Sequence, residues 1–304
     1  MPLILAGLLA CAHLPPAPEG DWSWSVDREA LPAATLDVYL IGTGEMAHGM
    51  AFQEGRGPSR TLQVYAFVLD HPTEGLVVID PGYGRRTAED PSEVPGRAVA
   101  RWSGLAMGTP LVDRLGADYP GAPVAHLLAT HMHVDHTGGI EDFPDATVHI
   151  DPAEWAFGTR KQLVKATAPP LNHEAIAVSP LGFGDGPCGP FARSEDVFGD
   201  GALIALSTPG HTPGHTAFLV NLPGGSVLLT GDAAWFDEHW EQPALKGGFP
   251  RRRVEVDWRG AADATWRIRD FQQRHPEVIV LSGHDPANIQ RIEQAPTGSG
   301  LTLR

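Results

Sequence analysis

The stretch Thr130-His131-Met132-His133-Val134-Asp135-His136-Thr137-Gly138-Gly139 places four potential metal ligands within six residues, directly after the apolar run VAHLLAT at 124–130. Residues two apart in an extended chain point the same way, so His131 and His133 can grip one ion, while a turn after Val134 redirects Asp135 and His136 toward a second. Gly138 and Gly139 let the backbone turn sharply into the next segment at no steric cost. A lone histidine is usually packed or exposed rather than a ligand. A cluster this dense is not explained that way.

Polar groups at the ends of apolar runs recur downstream. The run at 202–210 leads into Thr208-Pro209-Gly210-His211-Thr212-Pro213-Gly214-His215, that at 226–232 ends in Thr230-Gly231-Asp232, and that at 277–285 ends in Ser282-Gly283-His284-Asp285. Ligands placed where buried strands emerge gather at one rim of a sheet, where α/β folds carry their active sites.

Further short apolar runs at 36–42, 62–70, 75–82, 124–131, 146–150 and 215–222 read as strands. His71-Pro72-Thr73-Glu74 predicts a hairpin with a four- or five-residue loop. Thr109-Pro110 and Asp151-Pro152 each offer an N-cap followed by Pro at the first helical position, predicting helices over LVDRLGADY and AEWAFGTRKQLVKA. A third helix is expected over about Ala261 to Arg274, stopped by Pro276. Strands alternating with helices, repeated in two halves, predict an α/β fold: two mixed sheets packed face to face with helices outside. No linker separates the halves, so 35–304 is read as one domain.

Hydrophobic residues at 42% and charged ones at 19% are ordinary for a globular chain of 304 residues, and no run of about 18 apolar residues spans a bilayer. The net charge of −15 repels phosphate backbones, and the one basic run, Arg251-Arg252-Arg253, is too short to offset it. Nucleic acid is therefore not an expected partner. Two cysteines, Cys11 and Cys188, make no disulfide framework. No GxSxG elbow is present, and Cys188 has no histidine near it in sequence, so nucleophilic serine or cysteine catalysis has no support.

At the start, Pro2 to Ala10 form an apolar run, and Leu8-Leu9-Ala10-Cys11 resembles a bacterial lipobox. On that reading 1–11 is a lipoprotein signal segment. Cys11 carries the lipid, and 12–34 form a Pro- and Ala-rich tether to a membrane surface at the cell envelope. No Lys or Arg precedes Cys11, as a signal normally requires, so a cytoplasmic protein with an apolar tail is the alternative.

The motifs HMHVDH, TPGHTPGH, GD and GHD together resemble the four metal motifs of the metallo-β-lactamase superfamily, over roughly residues 36 to 293. Within it the course of the chain, from GLVVIDPG to LLTGDAAW and the late GHD, is most similar to N-acyl homoserine lactonases. The resemblance implies an αβ/βα sandwich and two zinc ions or other divalent metals. His131, His133 and His211 would hold the first, Asp135, His136 and His284 the second, and Asp232 would bridge them. It implies supporting places for His215 and Asp80. Two ions about 3.5–4 Å apart share a water, lower its pKa toward 7 and deliver hydroxide to a lactone or ester carbonyl, while Asp135 or Asp232 shuttles a proton to the leaving alkoxide.

Two departures bear on the substrate. Homoserine lactonases generally carry a tyrosine three residues after the bridging aspartate, where this chain has Trp235, and an aromatic residue where it has Val134. Trp235, Phe236 and Trp240 are candidates for an aromatic wall, and His48 for the entrance. A thioester hydrolase like glyoxalase II, a phosphodiester hydrolase of the same superfamily, and a non-catalytic metal-holding envelope lipoprotein are the alternatives.

Overall fold

The computed structural model describes residues 20–53, 57–90, 105–159 and 173–304. Cys11, the first part of the expected tether and the helix expected beyond Thr159 lie outside them. Apolar runs hydrophobic on both alternating faces become strands buried on both sides. Thus β2 (Arg60–His71), paired with β1 (Thr35–Met46), sends Tyr65, Phe67 and Leu69 into one apolar cluster and Val64, Ala66 and Val68 into another.

With β3 (Gly75–Ile79), β4 (Ala106–Met107), β5 (Val124–Leu128), β6 (Thr147–Ile150) and β7 (Ala177–Pro180), these form one layer. The second layer comprises β8 (Gly186–Cys188), β9 (Phe191–Asp196), β10 (Leu203–Ser207), β11 (Thr216–Leu222), β12 (Gly225–Leu229) and β13 (Ile279–Leu281). The late strand β14 (Leu301–Leu303) returns to the first, whose order is β14-β1-β2-β3-β5-β6-β7 with β4 on β1; the second runs β13-β12-β11-β10-β9-β8. Both are mixed: β3, β5, β6 and β7 run parallel, as do β12 and β13, while β1–β2–β3 and β8 to β12 are antiparallel.

The helices used below are α1 (Leu111–Asp118), α2 (Val134–Thr137), α3 (Pro152–Gly158), α4 (Trp258–Arg274) and α5 (Ala287–Glu293). Phe67, Leu69, Ile79 and Leu128 of one sheet meet Leu203, Phe218, Val220 and Leu229 of the other in the central cluster. α1 lays Leu111 and Leu115 on the outside of the first sheet, and α4 lays Ala264, Ile268 and Phe271 on the outside of the second. The expected sandwich is the observed one. None of the described helices is long and apolar enough to cross a membrane.

Asp151 caps α3 by accepting from Ala153 N at 2.6 Å, and Asp257 caps α4 through Arg259 N at 3.0 Å. Thr109 does not cap α1; Pro110 takes that position and no side chain bonds there. The β2–β3 hairpin is tighter than expected. His71 pairs with Gly75, so only three residues intervene, and the His71 ring accepts from the N–H groups of Thr73 and Glu74 in place of a longer turn. Cys188 is a free thiol.

The part of the expected tether from Gly20 onward lies against the domain. Trp22 stacks on Phe271, with ring centroids 5.9 Å apart, and donates to Asp270 at 2.5 Å, while Arg28 bonds Leu222 O and Ser226.

Candidate metal centre

The strands stop short of the polar motifs, so the candidate ligands sit on loops beyond them. β5 ends at Leu128, His131 and His133 follow in an irregular stretch, and α2 is a single helical turn that swings Asp135 and His136 around. Gly138 and Gly139 serve close approach rather than a special turn. Both have negative φ, a Cβ on Gly138 would lie 2.6 Å from Val134 O, and Gly139 N–H donates to Gly82 O at 2.8 Å. On the other layer, Gly210 (φ +151°) lets its loop meet the start of α4, where a Cβ would fall 2.0 Å from Ala261 N. His211 is presented from this contact. Asp232 stands in a tight turn after β12, and His284 follows β13.

These loops converge into two adjoining groups, His131, His133, His211 and Asp232 in one and Asp135, His136 and His284 in the other, each with its potential ligand atoms within 4.8 Å of one another. Asp232 faces both. Its Oδ2 lies 3.1 Å from His211 Nε2, and its Oδ1 lies 3.2 Å from His136 Nε2 and 3.0 Å from His284 Nε2. All are buried except Asp135, whose side chain is 25% exposed.

The donor set fits divalent metal. His131 Nε2 is buried with no hydrogen-bond partner, a costly state that a cation would relieve. Burial, reinforced by neighbouring imidazoles, holds His131 well below its ordinary pKa, and burial takes His133 to about 4. Burial and then Lys246 keep His211 low as well, so these three rings are neutral, as ligation requires. Burial alone would raise Asp232, but His284, His136, His211 and His131 around it hold it well below the carboxylate range. Against burial, Asp80 and Asp232 hold His136 well above its ordinary value, and Asp232 raises His284. A bound cation would displace those protons.

The expected supporting residues separate. Asp80, at the end of β3 with φ +50°, accepts from Thr130 N, Thr130 Oγ1 and His136 Nδ1 at 2.8, 2.7 and 2.7 Å. His215 contacts the Thr208 hydroxyl at 2.9 Å and lies beside His131, outside both groups. Trp235 donates its indole N–H to Asp232 Oδ2 at 2.7 Å. Of the expected aromatic wall, Trp235 stands beside His211 and His284, with ring centroids 6.2 and 6.5 Å apart, while Trp240 bonds Ser282 in the core; with Phe236 all three are at most 5% exposed. His48 rests on Phe52, which packs with Phe236 and Trp235, and joins neither group. Val134 is buried in the cluster outside the first sheet.

Three contributors had no signal in the sequence. Lys246 Nζ lies 3.2 Å from His211 Nδ1 and donates to Asp232 O at 2.6 Å. Glu154, wholly buried on α3, accepts from Met132 N and Gly214 N, tying the two histidine loops together. Tyr83 is buried, and burial followed by the charges of Asp135 and Asp232 keeps its phenol protonated.

Comparison with known proteins shows likeness in sequence and in fold. The sequence profile of the metallo-beta-lactamase superfamily matches residues 59–284. The N-acyl homoserine lactonase AttM of Agrobacterium fabrum is 31% identical over 278 residues, covering 86% of this chain and 97% of AttM. Among solved structures, B. thuringiensis AiiA with N-decanoyl-L-homoserine at its active site superposes with a TM-score of 0.65 at 20% identity, over 86% of this chain and 96% of that one. AidC, described as a dizinc quorum-quenching lactonase, gives 0.59 at 15%, over 84% and 89%. At these identities the structural matches speak to the fold.

Proposed function

The chain belongs to the metallo-beta-lactamase superfamily and is a metal-dependent hydrolase of that fold, and from this premise we propose that it opens a lactone ring at a dinuclear zinc site. The substrate class is an N-acyl homoserine lactone or a related cyclic ester. The observation that carries the reading is the pair of buried donor groups sharing Asp232. The 31% identity to AttM supports the substrate class, and the name given to AidC supports two zinc ions.

His131, His133 and His211 would hold one ion, Asp135, His136 and His284 the other, and Asp232 would touch both. Such a pair supplies an attacking water at neutral pH and an electrophile for the carbonyl. Asp232, which faces both groups, is the carboxylate placed to accept and pass on a proton. Asp135, the one member that is not buried, is the carboxylate through which that proton would reach the leaving alkoxide. The Trp235 indole is committed to Asp232, so it does not serve the substrate carbonyl.

The test is proton release by the full, metal-loaded chain on short- and long-chain acyl homoserine lactones, simple lactones, a thioester and a phosphodiester, each with a chelated control. Chelator-sensitive acid from lactones, lost in Asp232→Ala, is the expected result. Preference for the thioester or phosphodiester moves the substrate to that class. No turnover on any substrate leaves a metal-holding protein without hydrolysis.

A further inference from the structure

The two groups are backed differently: one imidazole of the second rests on a carboxylate, and one of the first faces an ammonium. In the second, His136 Nδ1 donates to the Asp80 carboxylate at 2.7 Å and His284 Nδ1 to Gln63 O at 2.8 Å. Acceptors behind a ligating imidazole make its metal-facing nitrogen more basic. In the first, Thr130 gives its hydroxyl proton to Asp80, so its oxygen accepts from His131 Nδ1 at 3.0 Å as an uncharged partner, and His211 Nδ1 faces Lys246 Nζ at 3.2 Å. A lysine ammonium has donors and no acceptor, so a neutral His211 receives it at Nδ1 only with its own proton on Nε2, the nitrogen that faces Asp232, and an ion at this position must displace that proton with a cation held behind the ring.

Lys246 is fixed in that place. Its Nζ donates to Asp232 O at 2.6 Å, pairs with Glu255 at 3.0 Å and lies 4.5 Å from the centre of the Trp235 ring. Both side chains of the Lys246–Glu255 pair are 3% exposed. With these contacts made, its three N–H bonds point at protein and none at a substrate. The ligand charges differ in the same sense, since Asp135 adds a carboxylate to the second group, whereas the first has only its share of Asp232.

We propose that the two metal positions are unequal: the one formed by Asp135, His136 and His284 holds its ion tightly, and the one formed by His131, His133 and His211 releases its ion first, with Lys246 the positioning residue that sets the difference. The inference rests on the dinuclear reading above.

The experiment is zinc binding to the metal-free full chain by chelator competition and calorimetry at fixed neutral pH. Wild type should bind two equivalents with dissociation constants at least tenfold apart. Lys246→Met combined with Glu255→Gln, which removes the cation without stranding a buried anion, should tighten the weaker equivalent about tenfold and leave the stronger unchanged. Asp80→Asn, which keeps a residue tolerant of positive φ, should weaken the stronger equivalent ten- to a hundredfold. Two equal affinities in wild type, or a double variant whose weaker equivalent does not tighten, overturn the proposal while the dinuclear site stands. Saturation below two equivalents overturns the dinuclear reading and this inference with it.

Discussion

Glu154→Gln should make the metal-free protein relatively more stable in alkali and the metal centre worse. Glu154 lies on α3 with no exposed surface, its Oε1 accepting from Met132 N at 2.8 Å and its Oε2 from Gly214 N at 3.0 Å. Met132 separates His131 from His133, and Gly214 follows His211, so one carboxylate anchors both histidine loops. Burial lifts its pKa from the ordinary 4.5 to about 7, only partly offset by those two N–H donors. The folded chain therefore keeps this proton to higher pH than the unfolded chain. The favourable share of stability is complete below pH 4.5 and is lost as pH rises through about 7. At about 1.36 kcal/mol per pH unit, that interval is worth about 3 kcal/mol. Glutamine matches the neutral acid in size and does not titrate. In urea unfolding of metal-free protein, the difference between variant and wild type should move in the variant's favour by about 3 kcal/mol between pH 4.5 and pH 8. At 2–4 °C per kcal/mol, that corresponds to roughly 6–12 °C in Tm. Meanwhile the amide turns an N–H toward one of the two backbone donors, one loop loses its anchor, and zinc affinity falls about tenfold or more. A difference that does not change with pH, or one that moves the other way, refutes the buried carboxylate. Undiminished zinc affinity refutes the anchor.

Two further outcomes follow from contacts described above. Trp235→Phe keeps a ring under Lys246 but removes the 2.7 Å donor from Asp232, a charge-assisted bond worth about 1.5–3 kcal/mol, so turnover should fall about tenfold or more; unchanged steady-state rates would make the indole mere packing. Trp22→Ala removes the stack on Phe271 and the bond to Asp270 and should cost about 2 kcal/mol in urea unfolding, less than the 3–5 of a fully buried tryptophan; an unmoved midpoint would mean that the arm is not docked in solution.

The candidate site was legible because its parts are local. HMHVDH concentrates four groups in one loop, and the remaining histidines and Asp232 each follow an apolar strand, so burial and chemistry share one short window. Asp80 was legible for the same reason, standing at the end of β3 beside β5. Lys246, Glu154 and the carbonyl of Gln63 were not, because nothing in their own neighbourhoods distinguishes them. They become functional only through contacts 14 to 221 residues distant in the chain. Trp235 was noticed, but sequence shows only that an indole is present, not that its N–H is spent on the aspartate three residues back. The fold was read correctly in its layers and less well at its edges. Strands expected to run into the motifs end sooner, since ligand loops must leave the ladder to converge. The short β7, β8, β9 and β14 carry too few alternating residues to signal themselves.

The candidate ligands are divided between the two layers: His131, His133, Asp135 and His136 hang from the first sheet, and His211, Asp232 and His284 from the second. A cation seated among them binds the assembled sandwich better than the open chain, where only the HMHVDH stretch remains together, so by mass action it adds up to about 2.7 kcal/mol of stability at a hundredfold excess over its dissociation constant. The persistence of the protein is thereby linked to the free-metal level around it. Without such a cation the layers would lose that tie, and opening and proteolysis would become easier.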